Sequence, residues 1–177
     1  MIDRLPYVVD DFLPEDQFKE LQKNIVWNDQ LTWNLCSRVS SIETPEEEMQ
    51  KDNWLAGHSI YQRGIPVSPL YEPLCEMLLK KISPPGSWKM KALLRLKVNF
   101  YGHTKELFQH KMHYDFPFDH MGALLSLNTC DGGTVFEDGT KYDSVANRML
   151  FFNPAKLHAS TTTTNKKGRF NILANYV

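Results

Sequence analysis

Cysteine is scarce in this chain, long apolar runs are missing, and net charge is almost nil. Cys36, Cys75 and Cys130 are scattered, odd in number and form no CxxC pair. That excludes a zinc ribbon or a disulfide scaffold and favours a reducing compartment. Each cysteine reads as a small buried hydrophobe. No apolar stretch approaches the roughly 18–20 residues that span a bilayer. The opening stretch, MIDRLPYVVDDFLPED, carries acids early and has no signal-peptide apolar core, so a cytoplasmic protein is expected. A formal charge of −1 gives no global electrostatic reason to expect nucleic acid or an anionic membrane as partner. Internal repeats and low-complexity segments are absent. What is present, 42% hydrophobic and 23% charged residues over 177 positions, suits one ordinary globular domain.

The order of periodicities suggests helices first and strands after. PYVV at 6–9 reads as a short strand. LPEDQFKELQKNIVW follows with Phe18, Leu21 and Ile25 at helical spacing, and Pro14, Glu15 and Asp16 suit a first turn. Residues 28–67 hold no sustained period and carry the acidic run ETPEEEMQKD. They are expected to form a long irregular excursion, with Trp33, Trp54 and His58 in a substrate-side lid. SPLYEPLCEMLLKKI predicts a second helix with Leu70, Leu74, Met77 and Leu78 in one stripe, ended by SPPG.

The period then changes to two. Leu94, Leu96, Val98 and Phe100 fall on one face of a strand, and Arg95, Lys97, Asn99 and Tyr101 on the other. Further strands are expected at 109–115, 121–128, 133–137, 140–145, 148–152, 157–163 and 169–176, with a two-residue hairpin turn at Asp138-Gly139. A second turn has Lys166 to Gly168 at its tip. Helices followed by about eight short strands predict a β-sandwich or barrel with helices packed outside. Lys80, Lys81, Lys89, Lys91, Arg95 and Lys97 read as a solvated helix end and strand face rather than a phosphate track.

HKMHYDFPFDH, residues 110–120, concentrates three histidines and two aspartates. Ligands for one metal ion must converge, and in a strand only i and i+2 point the same way. His113 and Asp115 meet this condition. HxD alone is a weak signal. It gains weight from His158, 45 residues further on in another strand, and from Arg169, 11 beyond that on the neighbouring strand. Two imidazoles and one carboxylate match the facial triad of non-haem Fe(II) oxygenases, which leaves positions open for a bidentate 2-oxo acid and O2. Arg169 then suits the far carboxylate of 2-oxoglutarate. His103, His110 and His120 are expected at the surface or around the site, with His110, Asp119 and His120 near the pocket mouth. No HxH occurs, so a His-x-His metal site has no candidate.

HYD, SLNTCDGGTVFEDG, LFFNPAKLHAS and GRFNILANYV together resemble the Fe(II)/2-oxoglutarate-dependent oxygenases, particularly the prolyl-hydroxylase-like branch. YVVDDFLPEDQFKEL also resembles the start of many such chains. The resemblance implies a mainly β fold, a double-stranded β-helix (jelly roll) with N-terminal supporting helices. One domain over 1–177 is expected, with helical support and the irregular lid segment in 1–90 and the jelly-roll core in 91–177. It implies His113, Asp115 and His158 as catalytic iron ligands and Arg169 on the 2-oxoglutarate C5 carboxylate. NFY resembles the N-x-Y that contacts 2-oxoglutarate in the dealkylating branch, which makes Asn99 and Tyr101 cosubstrate candidates. RFN resembles that branch's R-x-N, but its second arginine is replaced by Asn175. Where the prolyl branch carries a tyrosine after HxD, this chain has Leu125 or Ser126, and Tyr101 stands in as the hydroxyl donor. The implied cofactors are Fe(II), 2-oxoglutarate and O2, and the implied reaction is hydroxylation with release of succinate and CO2. A peptidyl side chain such as proline is favoured as substrate. A small-molecule or nucleobase-dealkylating oxygenase and a non-catalytic jelly-roll binding module remain as alternatives, with peptide or small molecule preferred to nucleic acid.

Overall fold

A computed structural model describes residues 5–40, 44–82 and 90–177, with Glu48 in backbone only. The expected helix stop SPPG and Lys89 lie outside the described residues. The chain opens with β1 (Tyr7–Val9) and α1 (Glu15–Ile25), then β2 (Asn34–Cys36), the single turn α2 (Pro45–Glu48), β3 (Leu55–Gln62) and β4 (Ile65–Pro66). α3 (Tyr71–Met77) and a 3-10 turn (Leu79–Lys81) precede the strand-rich half. That half contains β5 (Leu93–Gly102), β6 (Met121–Ser126), β7 (Gly133–Phe136), β8 (Lys141–Asp143), β9 (Met149–Phe152), β10 (His158–Ser160) and β11 (Gly168–Tyr176). No described helix is long and apolar enough to cross a membrane.

The large sheet runs β1-β9-β6-β11-β5-β3-β2, with β4 on β3, and the small sheet runs β10-β7-β8. All described pairings within the two sheets are antiparallel. Alternation sorts the large sheet's side chains into two layers. Leu96, Val98, Leu125, Phe151, Ile172 and Ala174 point outward and bury against Phe18, Leu21 and Ile25 of α1, Leu74 of α3 and Leu78 just after it. Leu124, Leu150, Phe152 and Leu173 point the other way and meet Phe136 of the small sheet. The result is a double-stranded β-helix with its helices on the outer face, as expected.

Three local expectations are corrected. Residues 109–115 form no continuous strand, only the isolated bridges Gln109↔Thr161 and His113↔His158. The N–H groups of His110, His113 and Asp115 donate to the carbonyls of Ser160, His158 and Pro154, an uneven spacing that no regular ladder accommodates. The excursion 28–67 contains β3, which lies inside the large sheet between β5 and β2 rather than in an irregular lid. Its register places Gly57 opposite Asn99 and Ser59 opposite Lys97, so beyond Leu55 its inner face is small or polar and no sustained apolar alternation betrays it. The β7–β8 hairpin turns on three residues, not two. Gly139, at φ 84°, donates to Phe136 O, and Phe136 N–H donates to Thr140 O.

Ile172 is fully buried between the sheet and the helices. Ile172→Ala should lower unfolding free energy by about 2–5 kcal/mol, read as a drop in urea midpoint with the denaturant slope unchanged.

Candidate active site

His113 and His158 face each other across an antiparallel bridge, in which each N–H donates to the other's carbonyl at 2.8 and 2.9 Å. Their rings are 4.7 Å apart between centroids. Asp115 follows two residues after His113, and the three side chains offer ligand atoms that all lie within 4.8 Å of one another. Each histidine is held the same way. His113 Nδ1 sits 3.0 Å from Lys111 O, and His158 Nδ1 sits 2.9 Å from Lys156 O. A carbonyl only accepts, so both Nδ1 atoms carry the proton and both Nε2 lone pairs are free for a metal. These backbone carbonyls are the acceptors that orient the ligands. Burial holds the His158 imidazolium down to about 4, so the ring is neutral in ordinary buffers.

Asp115 is anchored from the large sheet. Arg95 Nη2 pairs with Oδ1 at 2.6 Å, and Asn175 Nδ2 donates to Oδ2 at 2.9 Å. Arg95 and Asn175 are cross-strand partners, and Arg95 Nε donates to Asn175 Oδ1 at 3.0 Å. Burial alone would raise the Asp115 carboxyl, but the charges of Arg95 and Lys97 outweigh it and hold the group well below the carboxylate range. Asp115 thus takes its guanidinium from Arg95, on the strand beside Asn175. His120 joins behind this pair. Its Nδ1 donates to Phe118 O at 2.7 Å, which leaves Nε2 facing Asn175 Nδ2 at 3.3 Å.

Arg169 occupies the other end of the cavity and is only 1% exposed. It donates to Thr161 O at 3.2 Å and to Thr134 Oγ1 at 3.1 Å, its guanidinium lies 5.1 Å from the Tyr101 ring centre, and its Nε has no partner. No carboxylate among the described residues pairs with it. Gly132 makes the approach possible, because a Cβ there would stand 2.3 Å from Thr162 O and 3.1 Å from Arg169 Cδ. Between the two ends, Asn99 Nδ2 donates to Asn171 Oδ1 at 2.9 Å, which leaves Asn99 Oδ1 and Asn171 Nδ2 buried without partners. The triad, Lys97, Asn99, Tyr101 and Arg169 line one cavity.

The sequence-derived site residues His113, Asp115, His158, Arg169, Asn99 and Tyr101 therefore share one cavity. Leu125 points into the outer core, and Leu124 takes the cavity wall. His110 and His120 are buried supports rather than mouth residues, at 1% and 5% exposure. His110 packs on Tyr101 and bonds Ser160 O, whereas Asp119 is exposed and accepts from Asn153. Cys130 is buried as expected, while Cys36 and Cys75 are only partly so. Arg95 and Lys97 are not a solvated strand face, since both turn toward Asp115. The signal was available, because the period of two sets them on the same face as Asn99 and Tyr101. Lys80, Lys81 and Lys91 are exposed as read.

No protein-family model matches the chain, and no curated protein matches it in sequence. Solved structures do match in fold. A prolyl-4-hydroxylase from Pseudomonas putida superposes with TM-score 0.64 at 17% identity, over 99% of this chain and 96% of that one. A Trichoplax adhaerens prolyl hydroxylase, solved with a hypoxia inducible factor peptide fragment, gives 0.63 at 15%, over 99% and 86%. HygX from Streptomyces hygroscopicus, solved with nickel and 2-oxoglutarate, gives 0.62 at 11%, over 97% and 82%. The chain has the fold these three proteins share.

Burial lowers His110 as well as His158 to about 4, against 6.5 for a free imidazole. The unfolded chain takes up these protons near 6.5 and the folded chain only near 4, so stability is complete above 6.5 and falls as pH drops between those values. Urea unfolding of the metal-free protein should show this fall, by up to about 1.4 kcal/mol per pH unit for each histidine. His110→Gln should roughly halve it, leaving the His158 share.

Proposed function

We propose that this protein is an Fe(II)- and 2-oxoglutarate-dependent dioxygenase that hydroxylates a C–H bond of a second substrate. The observation that carries this reading is one cavity with a facial His-Asp-His set at one end and a buried, acid-free guanidinium at the other. The donor set, two imidazoles presenting Nε2 and one carboxylate, fits a non-haem iron. Arg169 fits a carboxylate, since a buried guanidinium with an unpartnered Nε calls for an anion.

His113, Asp115 and His158 would hold Fe(II), and Arg169 would hold the C5 carboxylate of 2-oxoglutarate. Bound iron would supply the activation of O2 coupled to decarboxylation of 2-oxoglutarate to succinate and CO2, with one oxygen atom going to the substrate. The protein's own work is positional. Lys111 O and Lys156 O keep the two imidazoles in the Nε2-exposed tautomer. Arg95 and Asn175 keep Asp115 ionised and fixed. The free Asn171 Nδ2 and Asn99 Oδ1 give the middle of the cavity one donor and one acceptor. Tyr101 stacks on Arg169 and limits where its fork can point. Leu124, Phe152 and Leu173 keep the wall apolar and help exclude water. A peptidyl side chain is the favoured substrate class by likeness to the prolyl hydroxylases.

Adding Fe(II) and 2-oxoglutarate without oxygen should produce a visible charge-transfer band in the wild type and none in His113→Ala. A folded, iron-loaded wild type lacking the band would overturn the reading. Asp115→Ala should abolish succinate formation, and unchanged turnover would remove Asp115 from the ligand set. Arg169→Ala should weaken 2-oxoglutarate by about 2–5 kcal/mol while Fe(II) affinity stays near that of the wild type. Equal loss of iron would show that Arg169 acts elsewhere.

A further inference from the structure

Arg95, Lys97, Asn99 and Tyr101 succeed one another along the inner face of β5. Three of them have a stated partner. Arg95 is bound to Asp115 and Asn175, Asn99 to Asn171, and Tyr101 stacks on Arg169. The Lys97 ammonium makes no hydrogen bond and no ion pair among the described residues. Its ladder neighbours are Leu173 on β11 and Ser59 on β3, and neither carries charge. Asp115 lines the same cavity, but both its oxygens are already engaged by Arg95 and Asn175.

Lysines usually escape such a position by extending into water. Here β3 and β2 continue the sheet beyond β5, and Leu55 and Val39 stand with Lys97 on the cavity wall. Asp115 lies near enough to act on this ammonium through its charge, but a cation kept in a largely enclosed space with no ion pair of its own is costly to the fold. Strongly unfavourable charges of this kind are retained where a ligand neutralises them. Arg169 is the second such cation. It pairs across the ladder with Tyr101, four residues from Lys97, or about 13 Å of strand. Two cations without an ion-pair partner of their own therefore reach into one cavity from separated points, with an amide pair between them.

We propose that Lys97 is a second anion anchor, so that the cavity takes two carboxylates at once, one on Arg169 and one on Lys97 beside Asp115. The proposal rests on the 2-oxoglutarate reading of Arg169. The carboxylate on Lys97 has two sources, the keto-acid end of 2-oxoglutarate or an acid group on the molecule to be hydroxylated. The second source would make the substrate an organic acid, or a peptide presenting one.

The test is calorimetric titration of the anaerobic, Fe(II)-loaded full chain with 2-oxoglutarate, then of the 2-oxoglutarate complex with acetate. Wild type is compared with Lys97→Met, Lys97→Gln and Lys97→Arg. A tenfold or greater loss of 2-oxoglutarate affinity in the Met and Gln variants, restored by Arg, supports the proposal and assigns the cosubstrate as source. Unchanged 2-oxoglutarate affinity with acetate binding lost only in Met and Gln supports it and assigns the substrate. Unchanged binding of both anions in all variants overturns it, while a wild type that binds 2-oxoglutarate keeps the functional reading. A wild type that binds no 2-oxoglutarate overturns both. Thermal unfolding of the metal-free protein gives a readout independent of ligand. Removing an uncompensated charge should raise Tm by a few degrees in Lys97→Met and Lys97→Gln, and a fall in both would mean that the ammonium is already satisfied in the fold, against the proposal.

Discussion

The antiparallel ladder of β5 and β11 commits each of their side chains to one of two environments. Gly168 pairs with Gly102, Asn171 with Asn99 and Asn175 with Arg95, without interruption until the register shifts after Asn175. One face carries Leu96, Val98, Ile172 and Ala174 under the helices. The other carries Arg169, Tyr101, Asn99, Asn171, Lys97, Arg95 and Asn175. A slip by one residue would exchange the two sets, driving cations into the helical core and exposing its apolar residues to the cavity. The apolar face therefore pins the polar one, and the site inherits its register from a hydrophobic layer it never touches.

The metal end depends on that ladder indirectly. His113 and Asp115 lie on a segment with little regular structure of its own, held by single bridges to the chain around His158. The guanidinium of Arg95 and the amide of Asn175 reach Asp115 from the sheet and fix it there. An irregular segment is thereby given the precision of a strand. Its irregularity also lets His113 and Asp115 turn inward while His110 packs behind Tyr101.

Charge is distributed unevenly through this arrangement. Arg95 is matched by Asp115, whereas Arg169 and Lys97 face the cavity without acids of their own. Such unmatched burial works against the stability of the empty protein. It follows from a site that keeps its counter-charges for what it binds, at the expense of the resting fold.

Much of this was legible along the chain. Alternation in LRLKVNFY sets Asn99 and Tyr101 on the polar face, and the i, i+2 spacing of His113 and Asp115 with a distant His158 and Arg169 selects the site from six histidines. Local periodicity records which face a side chain takes, so these features survive in one dimension. The role of β3 was not legible, because past Leu55 its inner face carries only Gly57 and Ser59, too little apolar alternation to mark a strand. Nor was the pairing of Arg95 with Asp115, which depends on which strands become neighbours. The composition of the site can be read along the chain. Which charges are neutralised and which are left for a ligand cannot, because compensation depends on distances between residues far apart in the chain.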